Sequence, residues 1–274
     1  MCIPLLLALL PQAARAAPVV TLADIAIGND DNIVSARDGL PRSTEQFLHG
    51  GIAAAFSTPL DAGLSLRLQA RLDGRLHARY EGLNELDAGL EGQLLLRPGS
   101  GFYTPTLGLA MHIGSQQFQS DLRDSLESQL RLTLREAITT RISLRGELFT
   151  SWRGSESTVF DSHLKGGELA LDWLAAPALT LTLGYQYQAG DVVSIGRPGA
   201  SARANARALQ MDDVFEGLTA LRFDAQTHIG LVAASYALTP ALAIDVQCRY
   251  VESDSGFDTR YHRWITSSGL VARF

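Results

Sequence analysis

Lysine is nearly missing from this sequence: Lys165 is the single lysine among 23 basic residues. We read that imbalance as the coding bias of a GC-rich gene rather than as chemistry. Cysteine is also scarce, with Cys2 and Cys248 alone. Cys2 precedes a short apolar run, Ile3 to Leu10, which is the wrong place for a lipidated cysteine. Ala14-Arg15-Ala16 then has the A-x-A form of an export cleavage site, although the basic segment that normally opens such a signal is lacking. Taking residues 1–16 as a signal peptide leaves 17–274 with Cys248 alone, so no intramolecular disulfide can hold the exported chain together. Long apolar runs are missing too. None approaches the roughly 20 residues of a membrane helix, which excludes helical spanning and leaves spanning by strands open. The net charge of −6 argues against nucleic acid as a partner. Neither HExxH nor paired CxxC spacing is present, so zinc chemistry has no footing.

What the chain does have is alternation. Leu64, Leu66, Leu68, Ala70 and Leu72 are interleaved with Ser65, Arg67, Gln69, Arg71 and Asp73. A helix would turn Leu64 and Leu66 about 200° apart, so this period of two means strand. The pattern recurs near 19–27, 46–56, 86–96, 103–113, 130–135, 142–152, 169–173, 179–187, 227–233, 242–250 and 261–274, giving about twelve strands. Five tight connections (58–61, 98–101, 136–140, 175–178 and 239–241) alternate with six longer polar ones (28–44, 76–84, 115–125, 153–160, 189–213 and 252–259). An even strand count with short turns on one side and long loops on the other is what a transmembrane antiparallel up-and-down β-barrel requires. The content of 46% hydrophobic and 19% charged residues is compatible, since only alternate positions would meet lipid. A soluble sandwich would have to pack Arg67, Arg71, Glu91, Arg131, Arg145 and Asp245 into its interior, whereas a wet or ion-paired lumen accommodates them.

The last stretch carries a resemblance. Phe274, Ala272, Leu270, Ser268, Thr266 and Trp264 share one face, Tyr261 opens the segment, and the chain stops on the aromatic Phe274. This resembles the C-terminal signal strand of bacterial outer-membrane β-barrels, porins included. It implies an outer-membrane location in a Gram-negative cell, with membrane lipid, lipopolysaccharide and the barrel assembly machinery as partners. Tyr261, Leu270 and Phe274 would form the assembly signal. A second resemblance rests on Ile27-Gly28-Asn29-Asp30-Asp31-Asn32. It is similar to the start of barrel domains of surface lipoprotein assembly modifiers, although Asn29 stands where those have an aromatic and their helical repeats are lacking. It implies an export or assembly barrel acting with a protein partner.

Function should be written in the lumen. Arg67, Arg71 and Arg75 can neutralise against Asp87, Glu91 and Glu85. Arg131, Arg135, Arg141 and Arg145 form a lopsided hairpin facing fewer acids, Glu147 and Glu127, with Glu168 and Asp172 on the next strand able to close the network. Such a concentration of arginine predicts a narrow passive channel that prefers small anionic solutes. The 189–213 connection, with Arg197, Arg203 and Arg207, is expected either as a mobile outer loop or as an inward constriction. A rim hydrolase is the enzymatic alternative, its candidates being Ser162-His163 and Tyr261-His262. Closure of the barrel would also bring Asp30 and Asp31 beside Glu252, Asp254 and Asp258, an oxygen-rich group suited to Ca²⁺. No other cofactor is expected.

Overall fold

The computed structural model describes residues 19–256 and 260–274, so the signal-peptide reading and Asp258 lie outside the described residues. The strands are β1 (Val20–Asp30), β2 (Glu45–Asp61), β3 (Leu64–His77), β4 (Glu85–Leu96), β5 (Thr106–Phe118), β6 (Ser125–Ala137) and β7 (Ile142–Ser155). They continue as β8 (Ser162–Ala176), β9 (Leu179–Gly196), β10 (Ala208–Met211), β11 (Thr219–Thr239), β12 (Leu242–Asp254) and β13 (Tyr261–Arg273). Each of the long strands pairs antiparallel with its neighbour, β9 passing directly to β11, and β13 returns to β1 in a register running from Leu22↔Arg273 to Asp30↔Ile265. Twelve strands therefore close into a ring, and the short β10 lies outside it. Closure leaves the ring no unpaired edge, which in hydrocarbon would cost several kcal/mol for each orphaned backbone group.

The alternation sorts side chains as the sequence requires on all the long strands except β11. Leu90, Leu148, Leu169 and Leu183 are about three-fifths exposed. On β11 the apolar run Ile229, Leu231 and Ala233 instead takes the lumen parity, with His228, Val232 and Tyr236 outward. Outward aromatics cluster at two levels: Trp152, Tyr187, Tyr250 and Trp264 toward the loop ends, and Trp173, Tyr236 and Phe274 toward the turns. An apolar band between aromatic girdles is the exterior of a membrane barrel, so the protein is an outer-membrane β-barrel.

Several boundaries differ from the sequence expectation. β2 runs on through Pro59 to Asp61 with a register shift there, so the turn is Ala62-Gly63, and β5 starts at Thr106 after a longer 97–105 connection. The largest difference concerns 189–213. β8 leaves β9 at Leu164↔Gly190 and β12 leaves β11 at Asp254↔Gln226. β9 and β11 nevertheless stay paired as far as Gly196↔Thr219, forming a hairpin that rises beyond the ring. β10 takes the edge of β11 that β12 has vacated, from Ala208↔Arg222 to Met211↔Thr219. Gly190 marks the parting. Its φ is +142°, and a Cβ there would run into the His163 carbonyl oxygen.

Candidate functional site: the lumen and its outer mouth

Arg67, Arg71, Arg75, Glu91, Arg131, Arg135, Arg145 and Glu147 occupy the lumen parity of β3, β4, β6 and β7. Arg141 lies in the turn before β7, at the end of the barrel where the tight connections are. The structure pairs most of these arginines with acids on their own or nearby strands. Arg75 meets Glu85 at 3.2 Å, Arg145 meets Glu168 at 3.1 Å, and Arg153 meets Glu127 at 3.1 Å. Arg131 bonds Glu91 and lies 4.0 Å from Glu147, Arg71 bonds Asp73, and Arg135 approaches Asp172 at 3.9 Å. Arg67 donates to Gln69 at 3.0 Å. The arginine hairpin is thus less lopsided than its own two strands imply, because β4 and β8 supply the acids. Openness varies along the axis, the Arg135 side chain being 64% exposed against 27% for Arg131. One luminal element escaped the sequence reading. His49 on β2 stands between Asp24 on β1 (3.1 Å) and Asp73 on β3 (3.4 Å). Period two places all three on the lumen face, but only the register brings them level.

The outer mouth is built over. The β9–β11 connection lies opposite the β3–β4 loop, with six strands between them in either direction (β4 to β9 one way, β11 through β13 and β1 to β3 the other). Even so, the Phe215 ring packs on Tyr80 of the β3–β4 loop with centroids 4.5 Å apart. Segment 212–218 therefore crosses the mouth. Phe215 is buried with Val34 and Ala36 of the first loop, Val159 of the β7–β8 loop, and Ile195 and Ala220 of the raised hairpin. These residues form a small apolar core at the mouth of the tube. A buried latch holds it. Arg123 donates to Asp212 at 2.6 Å and to Asp213 at 2.7 Å, and its guanidinium lies 4.3 Å from the Phe160 ring centre. Burial opposes the Asp213 charge. Hydrogen bonds from Ser120 and Arg123 outweigh it, so this carboxyl sits below its ordinary value of 3.8. The 189–213 connection itself forms the raised hairpin and β10, and the segment that crosses the mouth overlaps it only at Asp212 and Asp213; apolar contacts rather than Arg197, Arg203 or Arg207 seat that segment.

The crossing segment rests on an ordered platform. Single 3-10 turns at Glu81–Leu83, Asp121–Arg123 and Thr158–Phe160 are each followed by Asn84, Asp124 or Asp161. The side-chain oxygen of each accepts from the backbone N–H of the strand it follows, His77 (2.7 Å), Phe118 (2.6 Å) or Ser155 (2.7 Å). The three loops also stack side by side. Ser120 N–H donates to the Gly82 carbonyl at 3.0 Å, and Ser157 N–H to the Leu122 carbonyl at 3.1 Å. The recurring frame Glu81-Gly82-Leu83-Asn84, Asp121-Leu122-Arg123-Asp124 and Thr158-Val159-Phe160-Asp161 is an internal repeat visible in the sequence, and the sequence reading missed it.

The acids proposed for Ca²⁺ do not converge. Asp30 faces the lumen and bonds Arg263, while Glu252 and Asp254 take the outward parity of β12, where Glu252 bonds Arg260. The wall of the barrel separates the two sets. Asp31 accepts from the Trp264 N–H at 2.7 Å. Among the described residues no group of three His, Cys, Asp or Glu could hold a metal ion. The hydrolase candidates are likewise dispersed. Ser162 faces the lumen and His163 faces outward, stacked on Trp152 at 5.3 Å. His262 stands outside, 2.8 Å from Asp38, while Tyr261 is buried on the lumen parity. Leu270 and Phe274 lie on the lipid face.

No described protein family and no curated protein matches the sequence. Solved structures do share the fold. An outer-membrane channel of Pseudomonas putida F1 aligns with TM-score 0.64 at 12% identity, over 96% of this chain and 97% of that one. The NanC porin aligns with TM-score 0.51 at 7% identity, over 91% of this chain and 98% of that one. The chain is thus similar in fold to porin-like outer-membrane channels.

Proposed function

We propose that this protein is a narrow passive diffusion channel of the outer membrane with a preference for small anions. The observation that carries the reading is the lumen itself. Arginine, carboxylate and amide side chains line its β3–β7 wall where a plugged barrel would need a packed interior, and water can solvate them. The preference rests on the turn-side end, where Arg67 and Arg141 join Arg135 and Arg145, which pair with Asp172 and Glu168, and where Arg135 is the most open of the paired arginines. Like charges in a low-dielectric tube raise the local concentration of counter-ions. Segment 212–218 then sets how freely the outer mouth communicates with the lumen.

The test is electrical. Purified barrel in a planar bilayer should give steady ohmic openings, with a reversal potential in a salt gradient that favours chloride over potassium. Arg135→Ala with Arg145→Ala should move that potential toward zero. A silent wild-type protein would remove the channel reading. Cation preference, or no movement in the double variant, would remove the anion preference alone.

A further inference from the structure

The charged residues of the lumen are mostly committed to one another, which leaves neutral groups to recognise a solute. A cavity of about 410 Å³ lies against the β3–β6 wall of the lumen, within the roughly 300–1,000 Å³ typical of small-molecule sites. Its ions are engaged: Arg71 with Asp73, Arg131 with Glu91, and Glu127 with Arg153. Asp87 accepts from the Gln116 amide at 3.2 Å. His112 on β5 and Gln129 on β6 stand directly opposite each other in register and line the same cavity. Among the described residues neither side chain has a hydrogen-bond partner. Gln69 adds an amide whose oxygen accepts from Arg67 and whose nitrogen is left to donate. Space for the imidazole comes from the cross-strand pair Gly89 and Gly114, since a Cβ on either would crowd the His112 ring.

We infer that His112, Gln129 and Gln69 form a binding subsite for a neutral polyhydroxylated solute of sugar class. An uncharged imidazole offers one donor and one acceptor, and a carboxamide offers both as well. A hydroxyl group is itself donor and acceptor, so adjacent sugar hydroxyls can satisfy this mixed set. A simple inorganic anion only accepts, and it would face the Gln129 oxygen and the carboxylates of Glu91 and Glu127. The subsite rests on the channel reading only for how the solute arrives, so its occupancy can be measured without conduction.

The experiment is calorimetric titration of the folded full-length barrel in detergent with maltose and, separately, with sodium sulfate, run beside bilayer recordings with maltose present. Maltose should bind in the millimolar range and add current noise, and sulfate should give no comparable heat. His112→Ala with Gln129→Leu should weaken maltose binding about tenfold, as expected for the loss of two hydrogen bonds. If that pair fails to fold, judged by heat-modifiable gel mobility, Gln129→Leu alone should still weaken binding. Maltose binding without conduction would uphold the subsite and remove the channel. Conduction without maltose binding, or binding unchanged in a folded variant, would overturn the subsite and leave the channel standing.

Discussion

Arg123 is the residue on which the outer mouth depends most. It is 6% exposed, and its partner Asp212 is fully enclosed. Removing one member of such a pair leaves an uncompensated buried charge, at a cost of about 3–5 kcal/mol. The loss falls on the cap, because the ring of strands does not rely on the latch. Arg123→Ala should therefore raise open-channel conductance and expose 197–218 to protease while the barrel keeps its heat-modifiable mobility. Lysine should rescue little, since it cannot make both bonds in the plane of one guanidinium. Acid gives a second handle. The Asp213 carboxyl titrates below 3.8 in the folded state, so its contribution is present in full above 3.8 and is lost as pH falls through the lower folded value. Conductance followed from neutrality downward should change below 3.8, and a change centred near pH 6 would point to histidine instead. In the sequence Arg123 is one basic residue in a polar loop. Its partners are 89 and 90 positions away, and nothing local announces them.

At the scale of elements, the strands were legible and one connection was not. Leu64 to Asp73 reads as strand because each side chain obeys a local rule, lipid or lumen, independent of what its neighbours do. The residues beyond Gly190 obey no such rule. Ile195 and Ala220 are buried by other loops and Val193 packs against them, so their pattern does not repeat with the period of a membrane strand. Gly190 itself was informative only in hindsight, as the point where β9 parts from β8. With φ of +142° and no room for a Cβ, Gly190→Ala should misplace the raised hairpin and lower yield or thermal stability, and differential scanning fluorimetry of folded barrel would detect it. The terminal strand makes the opposite case. Phe274 is 77% exposed on the lipid face and touches little, so Phe274→Ala should cost little in packing. If the terminal aromatic guides assembly, the variant should nonetheless lower the folded fraction in membranes, and assembly at wild-type yield would show that it does not.

At the scale of the molecule, the barrel is a tube whose walls follow from alternation and whose closure follows from a loop crossing it. That division explains why the sequence specified the first and hid the second. Alternation is a repeated local constraint, while the cap depends on Tyr80, Phe215, Val34 and Val159 meeting across the mouth. The crossing can be tested by fixing it. An ideal Cβ on Gly82 lies 3.3 Å from Cβ of Val214. That is close to the roughly 3.5–4.5 Å that a disulfide needs. Gly82→Cys with Val214→Cys should therefore bridge the β3–β4 loop to the crossing segment. Cys2 and Cys248, the latter facing outward on β12, would be changed to serine so that only one pairing is possible. Oxidation should then hold the mouth closed and suppress conductance, and reduction in the same bilayer should restore it. Equal currents before and after reduction, with the bridge confirmed by a mobility shift on the denatured protein, would mean that solutes pass beside segment 212–218 and that the cap does not control entry.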